Sequence, residues 1–332
     1  MQQQVWMVET AGGQFKRVEV PRVAPQHGEV LVRVAASGVN PLDAKIRAGK
    51  AEHAKQTLPA VLGLDMAGTV EEVGAGVTKF RLGDEVFGLV GGVGGRQGTL
   101  AEFVSADARL LAHKPVRLSM HEAAALPLST ITAWEGLVDR AQVRSGQKVL
   151  VHAGAGGVGH IVVQIARAFG ADVYATVSPS KKYLVEQFGA TPVDYHSSSV
   201  EEYVQTFTDG LGFDIVYDTV GGTTIDASFS AVRRYTGHVL SCLGWSTHSL
   251  APLSFRGATY SGVFTLLPML TGTGFDHHGE ILTSAAALAD EGRLRPLLHP
   301  TRFSTSDIDA AYAVVESGST GKVVIDIRDT QQ

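Results

Sequence analysis

The chain has 332 residues, of which 44% are hydrophobic, so it is long enough for packed cores in two domains. Its formal charge is −5 and it has no basic cluster, which argues against nucleic acid as its main partner. The opening MQQQVWMVET lacks the basic and apolar regions of a signal peptide, and no apolar run reaches the length of a membrane span. We therefore expect a cytoplasmic protein that does not enter membranes.

The first 120 residues carry strand patterns. Residues 29–37, 66–74 and 83–90 are rich in β-formers, are separated by turn glycines and prolines, and show no long helical period. This favours a β-barrel-like domain. The glycine run at 91–95 precedes the strand pattern TLAEFV rather than a helix, so we interpret it as a loop and not as a phosphate site.

The pattern changes near residue 120. Residues 119–141 predict helical segments broken at Pro127. Strands and helices then alternate, with predicted strands at 147–153, 172–177, 213–220 and 237–244 and predicted helices at 156–170, 180–189 and 224–235. Such alternation is typical of an α/β domain with a doubly wound parallel sheet. From about residue 277 the pattern is helix, helix and strand, and the last strand is predicted at 321–327.

A glycine motif separates the first strand and helix of this alternating region. Gly154, Gly156 and Gly159 form G-x-G-x-x-G within HAGAGGVGH. In this context the motif predicts a dinucleotide site, with the backbone of Gly157 and Val158 included and the pyrophosphate at the helix N-terminus. The alternative is a glycine turn without a ligand.

The end of the next predicted strand indicates which dinucleotide binds. A site for NAD usually places an acid there, but Asp172 lies at the start of this strand. The far end offers Ser178, Lys181 and Lys182, whose hydroxyl and ammonium groups suit a 2′-phosphate. We therefore predict NADPH as the cofactor. The alternative is that both lysines form a solvated first helical turn.

Six motifs follow one another along the chain: GVNPLDAKIRAG (38–49), LGLDMAGTVEEVGAGVTKFRLGDEVFG (62–88), ALPLSTITAWEGL (125–137), VHAGAGGVG (151–159), FDIVYDTVGG (213–222) and GKVVIDI (321–327). Together they resemble the medium-chain dehydrogenase/reductase superfamily, in its zeta-crystallin or quinone oxidoreductase branch. The resemblance implies a GroES-like β-barrel catalytic domain at 1–123, a Rossmann dinucleotide-binding domain at 124–266, and a segment at 267–332 that returns to the catalytic domain. It also implies a homodimer, through edge pairing near 258–266.

The resemblance bears on zinc as well. Zinc-dependent alcohol dehydrogenases of the superfamily have a cysteine where this chain has Asn40, and a His-Glu pair where it has Leu64 and Asp65. An amide and an aliphatic side chain cannot replace thiolate and imidazole around Zn²⁺. The single cysteine, Cys242, also excludes a structural site of four thiolates. We predict no metal.

The resemblance implies roles for individual residues. Asn40 is the expected catalytic residue, beside the nicotinamide and the substrate carbonyl; the alternative is a turn before Pro41. Residues implied to be near the cofactor are Thr132, Tyr195, Cys242, Leu243, Phe264 and Lys322. The alternative for Thr132 is a helix-start cap, and that for Tyr195 is a surface aromatic residue. Cys242 is expected to be a buried hydrophobic residue rather than a nucleophile.

These observations predict an NADPH-dependent reductase that transfers hydride to a quinone or an α,β-unsaturated carbonyl compound. One departure affects the substrate. Some family members have tyrosines facing the quinone where this chain has Lys45 and KAEHAKQ (50–56), in which His53 is the only ring. This disfavours a simple benzoquinone and favours a more polar enone or carbonyl compound. The alternatives are an alcohol dehydrogenase of the same superfamily and a non-enzymatic NADPH-binding protein.

Overall fold

The computed structural model describes residues 1–318 and 320–327. The described chain divides into two compact units, of which the first combines 1–128 with the described residues from 266 onward and the second is 129–265. The sequence placed the two boundaries after residues 123 and 266.

The strands are β1 (Gln2–Val8), β2 (Lys16–Pro21), β3 (Glu29–Val39), β4 (Ala60–Val61), β5 (Asp65–Val73), β6 (Glu85–Leu89), β7 (Phe103–Asp107), β8 (Leu111–His113), β9 (Lys148–Val151), β10 (Asp172–Val177), β11 (Thr191–Asp194), β12 (Ile215–Asp218), β13 (His238–Ser241), β14 (Thr259–Gly262), β15 (Phe303–Ser304) and β16 (Val323–Asp326). The helices are α1 (Pro41–Arg47), α2 (Met120–Ala124), α3 (Pro127–Trp134), α4 (Gly159–Ala168), α5 (Lys182–Gln187), α6 (Val200–Thr208), α7 (Thr223–Ala231), α8 (Ala251–Ser254), α9 (Leu267–Thr271), α10 (Phe275–Asp290) and α11 (Ile308–Glu316).

The first unit is built on two sheets. One has the order β15-β16-β3-β5-β6-β8, with β7 also paired to β3, and the other has the order β2-β1-β4. β3 is long and rich in valine, and it pairs antiparallel with β5, β7 and β16. The register sets Val39 opposite Val323, and Gly38 opposite Asp65. The end of β3 is therefore flanked by the starts of β5 and β16, which positions the polar cluster described below.

The second unit contains one parallel sheet with the order β11-β10-β9-β12-β13-β14. Its strands are short and apolar, as expected for a sheet covered by helices on both faces. Leu150 and Val216, on the central strands, are fully buried in a core that includes Phe213 and Phe229. The strand order reverses between β9 and β12, and ligands bind doubly wound sheets at the carboxyl ends of the strands at such a point. The α/β fold predicted from the sequence is confirmed.

Some elements differ from the sequence prediction. The predicted helix at 119–141 is α2, α3 and a π-helical turn at Glu135–Arg140, with Pro127 at the first position of α3. Only the end of TLAEFV joins a strand, β7, since Leu100 instead bonds the backbones of Trp6 and Leu62. The sequence pattern did not predict β1, β2, β11 or α6. Within the described ranges, no helix is long and apolar enough to cross a membrane.

Candidate active site

The glycine motif forms the turn between β9 and α4. The N–H of Gly154 donates to the main-chain oxygen of Thr176 at 3.0 Å, and the N–H of Ala153 donates to the Thr176 hydroxyl at 3.0 Å. The turn then closes through the N–H of Gly156, which donates to the oxygen of Ala153 at 2.8 Å. These bonds tie the turn to the end of β10.

The three glycines have different reasons to be glycine. A Cβ on Gly154 would lie 2.4 Å from the Cβ of Ala175, and one on Gly159 would lie 2.1 Å from the oxygen of Ala153. Both positions therefore lack room for a side chain. The residue of the turn with a left-handed backbone conformation is Ala153, with a φ of 55°. A Cβ on Gly156 would meet the Ala153 oxygen at 3.0 Å, so this position is less crowded.

The helix that follows supplies binding groups for an anion. α4 begins at Gly159 directly after the turn, and its buried apolar side chains, such as Ile161 and Val162, hold it against the sheet. The first N–H groups of a helix have no intrahelical acceptor and carry partial positive charge. The backbone of Gly157, Val158 and Gly159 therefore presents a binding edge that fits a pyrophosphate.

A cavity of about 490 Å³ lies at the carboxyl ends of the strands in the second unit. Its lining includes His152, Ala153, Thr176, Tyr195, Val220 and Thr223, which follow or end β9, β10, β11 and β12. Tyr195, predicted near the adenosine part of the cofactor, is thus on the cavity wall, and 53% of its surface is exposed. The cavity has the position expected for a dinucleotide in this fold.

The residues predicted to bind a 2′-phosphate directly follow β10. Ser178 is half-buried, and its hydroxyl lies 3.4 Å from that of Ser180. Lys182 Nζ lies 3.3 Å from Asp194 Oδ2 at the end of β11, whereas Lys181 makes no ion pair with any residue that the structure describes. The two lysines are therefore not equivalent, which the sequence did not indicate.

Four other residues predicted near the cofactor, Thr132, Cys242, Leu243 and Phe264, lie elsewhere in the second unit. Thr132 is in the body of α3, so it is not a helix-start cap; its hydroxyl lies 2.8 Å from that of Thr265. Cys242 and Leu243 follow β13 rather than ending it, and burial raises the pKa of Cys242 to about 12. The thiol is therefore a poor nucleophile. Phe264 packs edge-on against Trp245 at a centroid distance of 6.4 Å.

Two buried polar residues beside the cavity were missed in the sequence. His152 Nδ1 lies 3.3 Å from the Thr176 hydroxyl, and burial lowers the pKa of His152 to about 4, so the ring is neutral. Asp218 ends β12 and accepts hydrogen bonds from the N–H groups of Val220 and Gly221 and from the Ser241 hydroxyl. Asp218 therefore fixes the loop after β12.

The first unit contains a buried cluster at the end of β3. Asn40 Nδ2 donates to Asp65 Oδ2 at 2.9 Å, and Lys322 Nζ donates to Asn40 Oδ1. Lys322 Nζ also lies 3.8 Å from Asp65 Oδ2, while Asp65 Oδ1 accepts the N–H of Leu128 at 2.9 Å. The structure therefore brings together two predicted residues, Asn40 and Lys322, and adds Asp65, which the sequence suggested only as the replacement of a zinc ligand.

A second carboxyl group lies next to this cluster. Asp43, in the first turn of α1, accepts the main-chain N–H of Asn40 through Oδ2 at 2.9 Å. Burial raises the pKa of Asp43 to about 7 and that of Asp65 to about 6, and burial lowers the pKa of Lys322. The cluster can therefore change its protonation near neutral pH.

The side chains at the family's zinc position do not fit a zinc ion. Asn40 and Leu64 offer an amide and a hydrocarbon, and the oxygens of Asp65 are already occupied by Asn40 and Leu128. Across residues 1–318 and 320–327, no group of three or more His, Cys, Asp or Glu side chains is arranged to hold a metal.

The two units together define the dehydrogenase class that combines a GroES-like domain with a Rossmann domain. Residues 26–116 match the family model of the alcohol dehydrogenase GroES-like domain, and residues 157–272 match the zinc-binding dehydrogenase model. The chain belongs to the medium-chain dehydrogenase/reductase superfamily, in its quinone oxidoreductase-like branch, and is an oxidoreductase.

Two curated relatives span most of the chain. A 2-methylene-furan-3-one reductase of Solanum lycopersicum is 36% identical over 93% of this chain and 74% of its own length. An NADPH-dependent alkenal/one oxidoreductase of Arabidopsis thaliana chloroplasts is 33% identical over 96% of this chain and 78% of its own.

Two solved structures share the fold. An alcohol dehydrogenase superfamily protein of Novosphingobium aromaticivorans is 55% identical, with a TM-score of 0.96 over 98% of this chain and 100% of its own. The quinone oxidoreductase of Coxiella burnetii is 28% identical, with a TM-score of 0.84 over 99% of this chain and 100% of its own.

Proposed function

We propose that this protein is an NADPH-dependent, zinc-independent reductase of α,β-unsaturated carbonyl compounds or quinones. The observation that carries the proposal is the buried amide of Asn40, held between Asp65 and Lys322 at the position where zinc enzymes of the superfamily bind their metal. An amide N–H stabilises a developing oxyanion without ionising, so it suits reduction of a conjugated carbonyl. The printed activities of the tomato and Arabidopsis relatives support this class of substrate.

The second unit offers the groups that would hold the cofactor. The N–H groups of Gly157, Val158 and Gly159 would bind the pyrophosphate, and the cavity beside Tyr195 would take the adenosine part. Ser178 and Lys181 bind the 2′-phosphate, while the charge of Lys182 is shared with Asp194. When bound, NADPH supplies a hydride from its nicotinamide ring.

Asn40 acts on the substrate. Its Nδ2 donates a hydrogen bond to the carbonyl oxygen, which becomes negative as the β-carbon of the enone accepts hydride. The enolate or phenolate so formed then takes a proton from solvent. No residue in this scheme acts as a nucleophile, in keeping with the raised pKa of Cys242.

A substrate screen followed by nicotinamide absorbance tests the proposal. We expect turnover of enones or quinones with NADPH preferred over NADH. Saturable NADPH binding without turnover of any quinone, enone or aldehyde would instead identify a binding protein.

The variant Asn40→Ala tests the role of the amide. Because an oxyanion donor acts only as charge develops, kcat and kcat/KM should fall together by ~10²–10³. The affinity for NADPH should stay within a few-fold. Loss of stability with unchanged turnover would make Asn40 a turn residue.

A further inference from the structure

Lys322 is held rigidly in the interior of the first unit. Only 4% of its side chain is exposed. Its N–H donates to Leu297 at 2.7 Å, and its oxygen accepts the N–H of His299 at 2.9 Å. The preceding Gly321 has a φ of 85°, and a Cβ there would lie 2.6 Å from the Leu298 carbonyl. The start of the lysine stem is therefore fixed from both sides.

The register of the sheet directs this stem towards Asn40. Val323 pairs with Val39 across β16 and β3, so Lys322, which precedes β16, lies beside Asn40, which follows β3. Lys322 Nζ reaches the Oδ1 of Asn40, while Asp65 Oδ2 accepts from the Nδ2 of the same amide. The amide thus has a cation on its oxygen and a carboxylate on its nitrogen.

These two partners permit only one orientation of the amide. The oxygen and nitrogen of an asparagine have nearly the same shape, and the surrounding hydrogen bonds decide which way the group points. Turning the amide over would set Oδ1 against the Asp65 carboxylate and Nδ2 against the Lys322 ammonium. Both contacts would become repulsive in a buried site, where charge interactions are strong.

Stability alone does not account for a buried lysine at this position. Removing a lysine and a carboxylate from water costs energy that their attraction need not recover, and apolar replacements of buried pairs are often neutral or stabilising. In this cluster, Lys322 donates to Asn40 and lies farther from the carboxylate, at 3.8 Å. The ammonium therefore acts mainly on the amide.

We propose that Lys322 is a positioning residue for the reaction, which orients the Asn40 amide so that Nδ2 faces the substrate oxygen. The inference rests on the proposed function and assigns Lys322 a role different from contact with the cofactor. Asp65 fixes the same orientation by accepting a hydrogen bond from Asn40 Nδ2. The substrate oxygen meets only Asn40.

The variants Lys322→Met and Lys322→Arg test the proposal. Methionine keeps the apolar stem but has no donor, so we expect kcat to fall by about 10²-fold, the effect of a misplaced catalytic group. The affinity for NADPH, measured by fluorescence titration, should change by no more than a few-fold. Arginine keeps a cationic donor and should restore most of the lost kcat.

Lys114 provides a matched control. It is another buried lysine of the first unit, with 7% of its side chain exposed, and it donates to the main-chain oxygens of Pro115 and Leu118. Lys114→Met should lower the melting temperature without changing kcat. Equal losses of kcat in the Lys114 and Lys322 variants would show a structural effect and overturn the proposal.

A double variant separates orientation from charge balance. Asp65→Asn combined with Lys322→Met is neutral in the cluster, but both partners that fix the amide are gone. We expect a folded protein with low kcat. Recovery of kcat in this variant would overturn the proposal, as would failure of both Met-containing variants to fold, which would make Lys322 structural.

The same measurements distinguish this inference from the proposed function. Absence of turnover by the unmodified protein would overturn the proposed function and, with it, the role of Lys322. Turnover by the unmodified protein with unchanged kcat in Lys322→Met would overturn this inference alone.

Discussion

Asp43 accepts the main-chain N–H of Asn40 at 2.9 Å through Oδ2, and its buried Oδ1 has no hydrogen-bond partner in the part of the chain that the structure describes. Burial raises the pKa of Asp43 to about 7. The carboxyl group therefore keeps its proton at pH values where an aspartate of the unfolded chain has lost it.

The first prediction concerns the dependence of stability on pH. Between about pH 4 and 7 the folded state holds one more proton at Asp43, so this residue lowers stability as the pH rises, by at most about 1.4 kcal/mol per pH unit. Asp43→Asn should flatten the curve of unfolding free energy in this window, as measured by denaturant titration. The exposed Asp172→Asn serves as control, and an unchanged curve in Asp43→Asn would contradict the assignment.

The second prediction concerns the glycine turn. Gly156→Val should abolish NADPH binding, because its branched side chain would occupy the place of the pyrophosphate. The position has more room for a Cβ than Gly154 or Gly159. Gly154→Val should instead destabilise the second unit, since its side chain would collide with Ala175. Fluorescence titration and thermal unfolding distinguish the two effects. Normal NADPH affinity in a folded Gly156→Val would show that the turn does not bind the cofactor.

The third prediction concerns metal. Asn40 and Leu64 offer no thiolate or imidazole, so we expect purified protein to contain no stoichiometric zinc and to keep its activity in a chelator. Metal analysis by mass spectrometry and an assay with chelator check this. One tightly held zinc per chain would refute it.

The sequence was sufficient for features that depend on local pattern. Alternation of short apolar strands with helices predicted the parallel sheet, and the glycine spacing placed the turn between β9 and α4. β1 and β11 were missed: β1 begins with polar glutamines, and β11 is four residues long and contains Pro192. Neither strand has a strong alternation of apolar and polar residues.

The polar cluster of Asn40, Asp65 and Lys322 could not be predicted without the fold. Asn40 and Lys322 are 282 positions apart, and only the register of β16 on β3 sets them side by side. The local context of Asn40, before Pro41, equally fitted a turn, and no spacing in the chain relates it to Asp65. The unequal environments of Lys181 and Lys182 likewise depend on Asp194, which belongs to the unpredicted β11.

The fourth prediction uses that difference between the lysines. Lys181→Ala should weaken the binding of NADPH by ~1.5–3 kcal/mol, the size of a lost charge-assisted hydrogen bond, and leave the binding of NADH nearly unchanged. Lys182→Ala should have a smaller effect, because its Nζ already pairs with Asp194 at 3.3 Å. The variant with both changes should lose most of the preference for NADPH. Dissociation constants for both nucleotides measure this, and equal losses for NADPH and NADH would contradict it.

The last prediction concerns assembly, since we propose a homodimer in which β14 pairs with its copy. β14 is the edge strand of the described sheet, and the N–H groups of Thr259 and Val263 donate to the oxygens of Gly237, just before β13, and Ser241, at its end. Because successive N–H groups along a strand alternate in direction, that of Gly262 points away from β13 and is available to a partner strand. Phe255 lies shortly before β14 in the chain, and Tyr235 is joined to the same segment because its N–H donates to the Arg256 oxygen at 2.8 Å. Both residues are 85% exposed and add apolar surface.

The variant Gly262→Pro tests this pairing, because it removes the outward N–H and leaves the bonds to β13 intact. We expect light scattering to give the mass of two chains for the unmodified protein and of one chain for the variant. Gly262→Ala is the matched control: it keeps the N–H, has only the Tyr260 hydroxyl at 4.0 Å from its Cβ, and should remain dimeric. A monomeric unmodified protein, or a dimeric Gly262→Pro of equal affinity, would exclude pairing through β14.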